Sequence, residues 1–207
     1  MDTSKILHDF LVLFATVDPI GSVLIFSGLA AGLDARQRRR LAWRSTWIAG
    51  VVMIAFMALG QVILSAMHVS LPAFQLAGGI FLFLFGAQMT FGDVSHLASA
   101  KAEAGHDPAV FPLAIPAIAT PGAIMAVIVL TDNARFSVGS QLFTAGALAA
   151  VLVLTWLGMR FASVLQRLLG RNGGEAVIRL LGMILAALAV EMSVQAIQTL
   201  FAPSQHG

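Results

Sequence analysis

The sequence predicts an all-α membrane protein with six spanning helices. Only 11% of its 207 residues are charged and 58% are hydrophobic, whereas soluble domains are about 25% charged. The mean hydropathy is +0.90. A helix needs about 20 apolar residues to cross a bilayer, and six stretches are long enough: about 6–31, 43–67, 71–92, 110–131, 138–160 and 177–201. We therefore expect a single transmembrane domain over 1–207, with its function carried by the helices themselves.

The arginines predict the orientation of these spans. They are concentrated after spans one and five: Arg36, Arg38, Arg39, Arg40, Arg44, Arg160, Arg167 and Arg171. The positive-inside rule places both connections in the cytoplasm, so both termini are expected on the outer, periplasmic side of an inner membrane. Because the basic residues follow topology and the formal net charge is only +2, no nucleic-acid partner is expected.

A weak internal repeat at an offset of about 102 residues predicts two sets of three spans. It pairs Pro19 with Pro121 and Gly79 with Gly182. The first set covers about 6–92, a cytoplasmic connector covers about 93–109, and the second set covers about 110–201. Two consecutive three-span sets must insert with opposite orientation, and the arginine pattern agrees. Inverted repeats of this kind are typical of secondary transporters.

Spans one and four are each predicted to be interrupted, at Asp18-Pro19 and at Thr120-Pro121. Proline disfavours helical conformation in the residue before it and lacks an N–H. Asp and Thr are good N-caps, and proline is favoured at the first helical position. Each pair therefore reads as a helix that restarts inside the membrane, with backbone N–H groups available there.

Two such helix starts near the midplane predict a binding site for a small zwitterion. The amides of residues 20–22 and 122–124 would hold a carboxylate, because helix N-termini favour anions, and Asp18 would hold an ammonium. The candidate binding residues are Asp18, Pro19, Ile20, Gly21, Ser22, Thr120, Pro121, Gly122 and Ala123. The alternative is structural: the prolines only kink the helices, and Asp18 only caps its own turn.

Three further ionisable residues lie in or near the spans. Glu191, in span six, is a candidate for proton coupling together with Asp18; the alternative is that it only bonds a neighbouring helix. His8 and Asp9 lie near the outer boundary of span one and are expected to be solvated. No metal site, cofactor or catalytic residue is predicted, since the chain has no cysteine and no nucleophile–base set or H-E-x-x-H spacing. An enzyme is therefore not expected.

Four stretches carry a resemblance to a known family: DPIG in span one, RQRRRLAWRS after it, LPAFQLAGGIFLFLFGAQMTFG, and PLAIPAIATPGAI at the start of span four. The chain resembles the MarC family of integral membrane proteins over nearly its full length. The resemblance implies six spans and an association with neutral amino acid transport, in some relatives linked to protons. The motif residues fall on Asp18, Pro19, Gly21, Pro116, Pro121 and Gly122. Position 191 departs from the pattern, which usually has glutamine there.

The sequence thus predicts a secondary transporter of small neutral amino acids or similar zwitterions that works by alternating access, with proton coupling as an open question. Two alternatives remain at this point. One is a membrane protein that transports nothing and serves in interaction or assembly, and the other is a carrier or channel for a different small solute. The substrate, the bilayer and an unknown number of subunits are the only expected partners.

Overall fold

The structure is a computed structural model that describes residues 3–30, 32–92, 107–133 and 136–201. These residues form eight helices and no strand: α1 (Thr3–Val17), α2 (Pro19–Leu29), α3 (Ala35–Ala66), α4 (Leu71–Phe91), α5 (Ala109–Ile118), α6 (Pro121–Leu130), α7 (Val138–Arg160) and α8 (Ala162–Phe201). The predicted all-α class is therefore confirmed. Most of the predicted connector at 93–109 lies outside the described residues.

Six membrane spans can be formed from these helices. Five stretches are long and apolar enough to cross a bilayer: Ser4–Leu29, Ala35–Ala66, Leu71–Phe91, Val138–Arg160 and Arg179–Phe201. The sixth span is the pair α5 and α6, which is bent by 56° at its break. Span one is thus α1 with α2, span four is α5 with α6, and span six is the C-terminal part of α8. The boundaries agree with the sequence-based spans to within a few residues, except that span two begins about two turns earlier.

Short polar caps set the start of the straight spans. Asp34 accepts a hydrogen bond from the Gln37 N–H at 2.8 Å, and the Gln37 side chain accepts one from the Asp34 N–H at 3.0 Å, which together form a capping box at the start of α3. Ser70 and Ser137 cap α4 and α7 with a single bond each, accepted from the N–H groups of Ala73 and Ser140. These side chains satisfy N–H groups that a helix start otherwise leaves without partners.

Spans three and six form the closest helix pair, and they run antiparallel. Contacts progress in opposite directions along α4 and α8: the Gln75 side chain donates to the Met192 carbonyl at 3.2 Å, whereas Gly86, further along α4, lies against Gly182. A Cβ added to Gly86 would lie only 2.7 Å from the Gly182 carbonyl oxygen. The two backbones can approach this closely because glycine has no side chain at the crossing.

The other spans pack around α6. Span one lies along α7, and span two lies along α5 and α6. The α6 side chains are the most deeply buried of the described chain, with Ala123, Met125, Ala126 and Val127 at 0% exposure. Large apolar side chains on the outer faces of the other helices are exposed, as expected for surfaces that contact lipid. The protein is therefore integral to the membrane, with span four at its centre.

An ion pair joins the polar ends of spans two and four. The Arg44 guanidinium donates to a carboxylate oxygen of Asp107 at 2.6 Å, and the other oxygen accepts a hydrogen bond from the Ala109 N–H at 3.0 Å. The bond from Ala109 and the nearby Arg44 charge both lower the pKa of Asp107. The carboxylate therefore bonds the first residue of α5 and ties it to α3.

Candidate functional site

Span one is interrupted at a single residue, Asp18. Its backbone is left-handed, with φ 48° and ψ 72°, a region that Asp tolerates better than most residues. The carboxylate accepts a hydrogen bond from the Gly21 N–H at 3.0 Å, and the Asp18 carbonyl accepts one from the Ser22 N–H at 3.0 Å. The predicted N-cap and helix restart at Pro19 are thus confirmed.

Glycine is required at position 21 by the shape of this cap. A Cβ added to Gly21 would collide with Oδ2 of Asp18. Any larger residue would have to push the carboxylate away from the helix start, so the sequence Asp-Pro-x-Gly is a structural unit. The close fit of the cap therefore explains the glycine at this position.

Span four is interrupted more strongly, at Thr120. The Thr120 hydroxyl accepts a hydrogen bond from the Ala123 N–H at 2.9 Å, and its carbonyl accepts one from the Ile124 N–H at 2.9 Å. Upstream, α5 has wide, irregular turns, and non-helical backbone angles occur at Phe111 and Ile115, each directly before a proline. The second predicted restart, at Pro121, is therefore also confirmed.

The two interruptions lie against each other. The Thr120 hydroxyl donates a hydrogen bond to the Thr16 carbonyl at 2.8 Å, and the Ser22 hydroxyl donates one to the Ala117 carbonyl at 3.1 Å. All four residues are buried. The breaks leave these carbonyls without a helical N–H partner, and each accepts a hydrogen bond from the other span instead. Inside a membrane, backbone polar groups need such partners.

The Asp18 side chain lines a groove of ≈ 440 Å³ between spans one, three and six. Asp18 is 5% exposed. The other lining residues, apart from His8, are apolar: Leu11, Val12, Phe14, Ala15, Met89, Leu181, Ile184, Leu185 and Leu188. The groove therefore offers a carboxylate at one point of an otherwise apolar wall, which suits a small solute with one cationic group.

The predicted carboxylate site at the helix starts is not open in this structure. Gly122 and Ala123 are buried and do not line the groove, and a Cβ on Gly122 would meet the Leu82 side chain. The N–H groups of Gly21 and Ala123 are already bonded to Asp18 and Thr120. In this structure, two of the amides proposed for the carboxylate are therefore occupied by their own cap residues, and binding at the helix starts stays a prediction.

Glu191 lies apart from this groove. Its side chain is exposed on α8 and accepts a hydrogen bond from Gln195 at 2.9 Å. The structure brings Asp18 together with span three and with the Leu181–Leu188 part of α8, and Glu191 is not among the groove residues. A direct proton exchange between Glu191 and Asp18 therefore has no geometric support in this conformation.

Asp9 was missed by the sequence analysis as a buried residue. It is 1% exposed, and its Oδ2 accepts hydrogen bonds from Lys5 Nζ at 2.5 Å and from the Thr144 hydroxyl of α7 at 2.6 Å. The expectation of a solvated Asp9 was wrong, because α7 covers this face of α1. His8, in contrast, is exposed, as expected. The i,i+4 spacing of Lys5 and Asp9 was the signal that could have indicated the pair.

We predict that Asp9→Asn destabilises the protein by roughly 1–3 kcal/mol, because the substitution leaves the Lys5 ammonium without its carboxylate. The double variant Lys5→Met with Asp9→Asn is expected to recover most of that loss, since no unpaired charge remains. Thermal unfolding of both variants in detergent measures this. A double variant no more stable than Asp9→Asn would contradict a charge-pair origin.

These features define a class of protein: a multi-pass α-helical membrane protein whose first and fourth spans are interrupted and in contact, with one buried carboxylate at the junction. Comparison with known proteins then gives the family. The model described as MarC family integral membrane protein matches residues 3–201, so this chain belongs to the MarC family.

Three relatives illustrate the similarity. The UPF0056 membrane protein YvbG of Bacillus subtilis is 32% identical over 91% of this chain and 92% of its own length. A UPF0056 membrane protein of Archaeoglobus fulgidus is 36% identical over 88% of this chain and 87% of its own length. The UPF0056 inner membrane protein YhgN of Escherichia coli is 31% identical over 94% of this chain and 97% of its own length. No solved structure matches the chain.

Proposed function

We propose that this protein is a secondary transporter of small neutral amino acids or similar zwitterions. The observation that carries the proposal is the junction of spans one and four, where buried Asp18 faces a groove between three spans. An ionisable residue inside the membrane is costly, by roughly 2.5–3.5 kcal/mol on insertion scales, and is a functional hypothesis by default. Asp18 would bind the ammonium of the substrate.

The substrate carboxylate needs a different conformation from the one described. Each helix start uses its own cap residue, so amides become available only if Asp18 or Thr120 turns away from Gly21 or Ala123. A zwitterion could drive this exchange at the first break, since its ammonium would draw the Asp18 carboxylate off the Gly21 N–H while its carboxylate takes the freed amide. Binding and a change of the junction would then be coupled.

The pattern of helix contacts supports the inverted repeat that alternating access would use. In the sequence repeat, Gly79 of the first set corresponds to Gly182 of the second, an offset of 103 residues. By the same offset, Gly86 corresponds to Ala189. Gly86 lies against Gly182, and Gly79 lies against Ala189, so exchanging the two repeats converts one contact into the other. Likewise, the packing of span one on span five corresponds to that of span four on span two. The inverted repeat stays a prediction that these contacts favour.

Proton coupling and location are part of the same proposal. Asp18 is the stronger candidate for proton uptake, since it lines the groove and Glu191 does not. The relative YhgN is named an inner membrane protein, and we propose the same location here, with both termini outside.

A second candidate function is a structural role without transport, and the closed caps favour it. Asp18 and Thr120 each bond their own helix start, and the two breaks satisfy each other's carbonyls. On this reading, the junction only holds spans one and four together, and the protein serves in membrane assembly.

Uptake into proteoliposomes separates the two candidates. Radiolabelled glycine and alanine are supplied with and without an imposed proton gradient, and empty liposomes give the background. A transporter is expected to give saturable uptake, and a response to the gradient would establish coupling. Absence of uptake across a wider panel of amino acids would reject the proposal in favour of another solute or the structural role.

A further inference from the structure

The start of α3 carries a basic cleft that lies away from the Asp18 groove. Its volume is ≈ 1030 Å³, and it is lined by Arg36, Gln37, Arg39, Arg40, Trp43 and Trp156. The three arginines and Trp43 are spaced i, i+3, i+4 and i+7, which places them on one face of the helix. Trp156 belongs to α7, so the cleft is formed between spans two and five.

The cleft arginines lack carboxylate partners within the described part of the chain. The ion pairs found there join Lys5 to Asp9 and Arg44 to Asp107, and Asp34 is used as the N-cap of α3. Asp107 is near enough to Arg40 for that charge to help lower the pKa of the Asp107 carboxyl, but it is paired with Arg44, so three guanidinium groups line one opening without an ion pair to any described carboxylate. Arginine suits phosphate, because its planar fork can donate two parallel hydrogen bonds.

The tryptophans place this cleft at the membrane surface. Trp43 stacks on Trp47 at 6.3 Å and meets Trp156 edge-on at 6.3 Å. Tryptophan is enriched at the level of the lipid headgroups. The 32 residues of α3 span about 48 Å at 1.5 Å per residue, whereas the hydrocarbon core is about 30 Å thick. The arginines, one to two turns before Trp43, thus lie where lipid phosphates are found.

A polar group inside the aromatic cluster adds a second, independent observation. The indole Nε1–H of Trp156 is buried and has no hydrogen-bond partner among the described residues. Buried indole N–H groups usually have a partner. A phosphate or glycerol oxygen of a lipid in the cleft would supply one after a small shift of the side chains that cover the indole N–H.

We propose that this cleft binds an anionic phosphate group, supplied by the headgroup of a negatively charged phospholipid. The arginines would hold the phosphate, and Trp43 and Trp156 would contact the glycerol region below it. Free phosphate shares this chemistry, but the aromatic cluster favours a lipid as its source. The site is separate from the proposed transport function and would be present with or without it.

The chain supplies its own probe for a test, because its three tryptophans are the three of this cluster. Brominated phosphatidylglycerol and brominated phosphatidylcholine are compared as quenchers of tryptophan fluorescence in mixed bilayers that contain the full-length protein. Trp43 and Trp47 are more than half exposed and will meet either lipid, so the informative quantity is the preference for the anionic lipid. We expect phosphatidylglycerol to quench at clearly lower mole fractions.

In the triple variant R36Q/R39Q/R40Q, the affinity for phosphatidylglycerol relative to phosphatidylcholine is expected to fall roughly 100-fold. The estimate takes about 1 kcal/mol for each basic residue near the surface. The matched control is Arg38→Gln, because Arg38 is on the same turns but does not line the cleft; it should keep the preference. Retention of the preference in the triple variant, or an equal loss in the control, would overturn the proposal.

Two measurements on the unmodified protein guard against misfolding of the triple variant. Salt near 1 M shortens the Debye length to about 3 Å and should strongly reduce the preference; a preference that salt leaves unchanged overturns the proposal. Inorganic phosphate is then added as a competitor. Displacement of phosphatidylglycerol would support a phosphate site open to soluble ions, and no displacement would support the lipid as the source.

Discussion

Under the proposed transport function, replacing Asp18 with asparagine is expected to lower saturable amino acid uptake by about 10- to 100-fold, with the protein still inserted. A hydrogen bond to a charged group contributes roughly 1.5–3 kcal/mol, and each 1.4 kcal/mol is about tenfold in binding. Asparagine also tolerates the left-handed backbone of position 18 and can cap the Gly21 N–H. The substitution therefore removes the charge and preserves the break in span one.

Two comparisons make this result specific to the charge. Asp18→Ala removes the cap as well, and it is expected to cost about 0.5–2 kcal/mol of stability, whereas Asp18→Asn should unfold close to wild type in the same thermal assay. Uptake by Asp18→Asn that equals wild type would reject Asp18 as the ammonium site. It would leave the cap as the only role of this residue.

Gly86→Ala is expected to destabilise the fold by roughly 1–3 kcal/mol, the usual range for overpacking a tight contact. The added methyl would lie 2.7 Å from the Gly182 carbonyl oxygen and 2.8 Å from the Ala186 backbone nitrogen. Both atoms belong to the α8 backbone, so no side chain can move aside. Spans three and six would have to separate, and thermal or denaturant unfolding in detergent would measure the loss.

Gly146→Ala is the matched control for this experiment. Gly146 lies in α7, and a Cβ there would meet nothing within 4 Å. In a helix interior, alanine is favoured over glycine by about 0.8–1 kcal/mol, so this variant should be as stable as wild type or slightly more so. If Gly86→Ala unfolded together with Gly146→Ala, the backbone contact at Gly86 would not be a source of stability.

The helix breaks could be predicted because they are set by local chemistry. Asp18-Pro19 and Thr120-Pro121 each combine an N-cap residue with a residue that cannot continue a helix, and neither property depends on distant parts of the chain. The number of spans followed in the same way, from runs of apolar residues. The structure agrees with both predictions.

The surroundings of the site could not be predicted, since burial depends on which helix covers which face. Asp9 was expected to be solvated at the end of a span, but Thr144, more than 130 residues later, packs over it. Similarly, nothing in the sequence near Gly122 indicated that Leu82 would fill the space beside it. Glu191 stands in an apolar helix, and only the packing of α8 decides that its side chain points outward.

Two hydrogen bonds hold the breaks in spans one and four together. Thr120 donates to the Thr16 carbonyl, and Ser22 donates to the Ala117 carbonyl. Any motion that separates spans one and four at their centre must release both. Each is worth about 0.5–1.5 kcal/mol net, so together they hold the two breaks closed by roughly 1–3 kcal/mol in addition to the apolar packing of the spans. A ligand that opened the centre of the bundle would have to bind the open arrangement more tightly than the closed one by at least that amount.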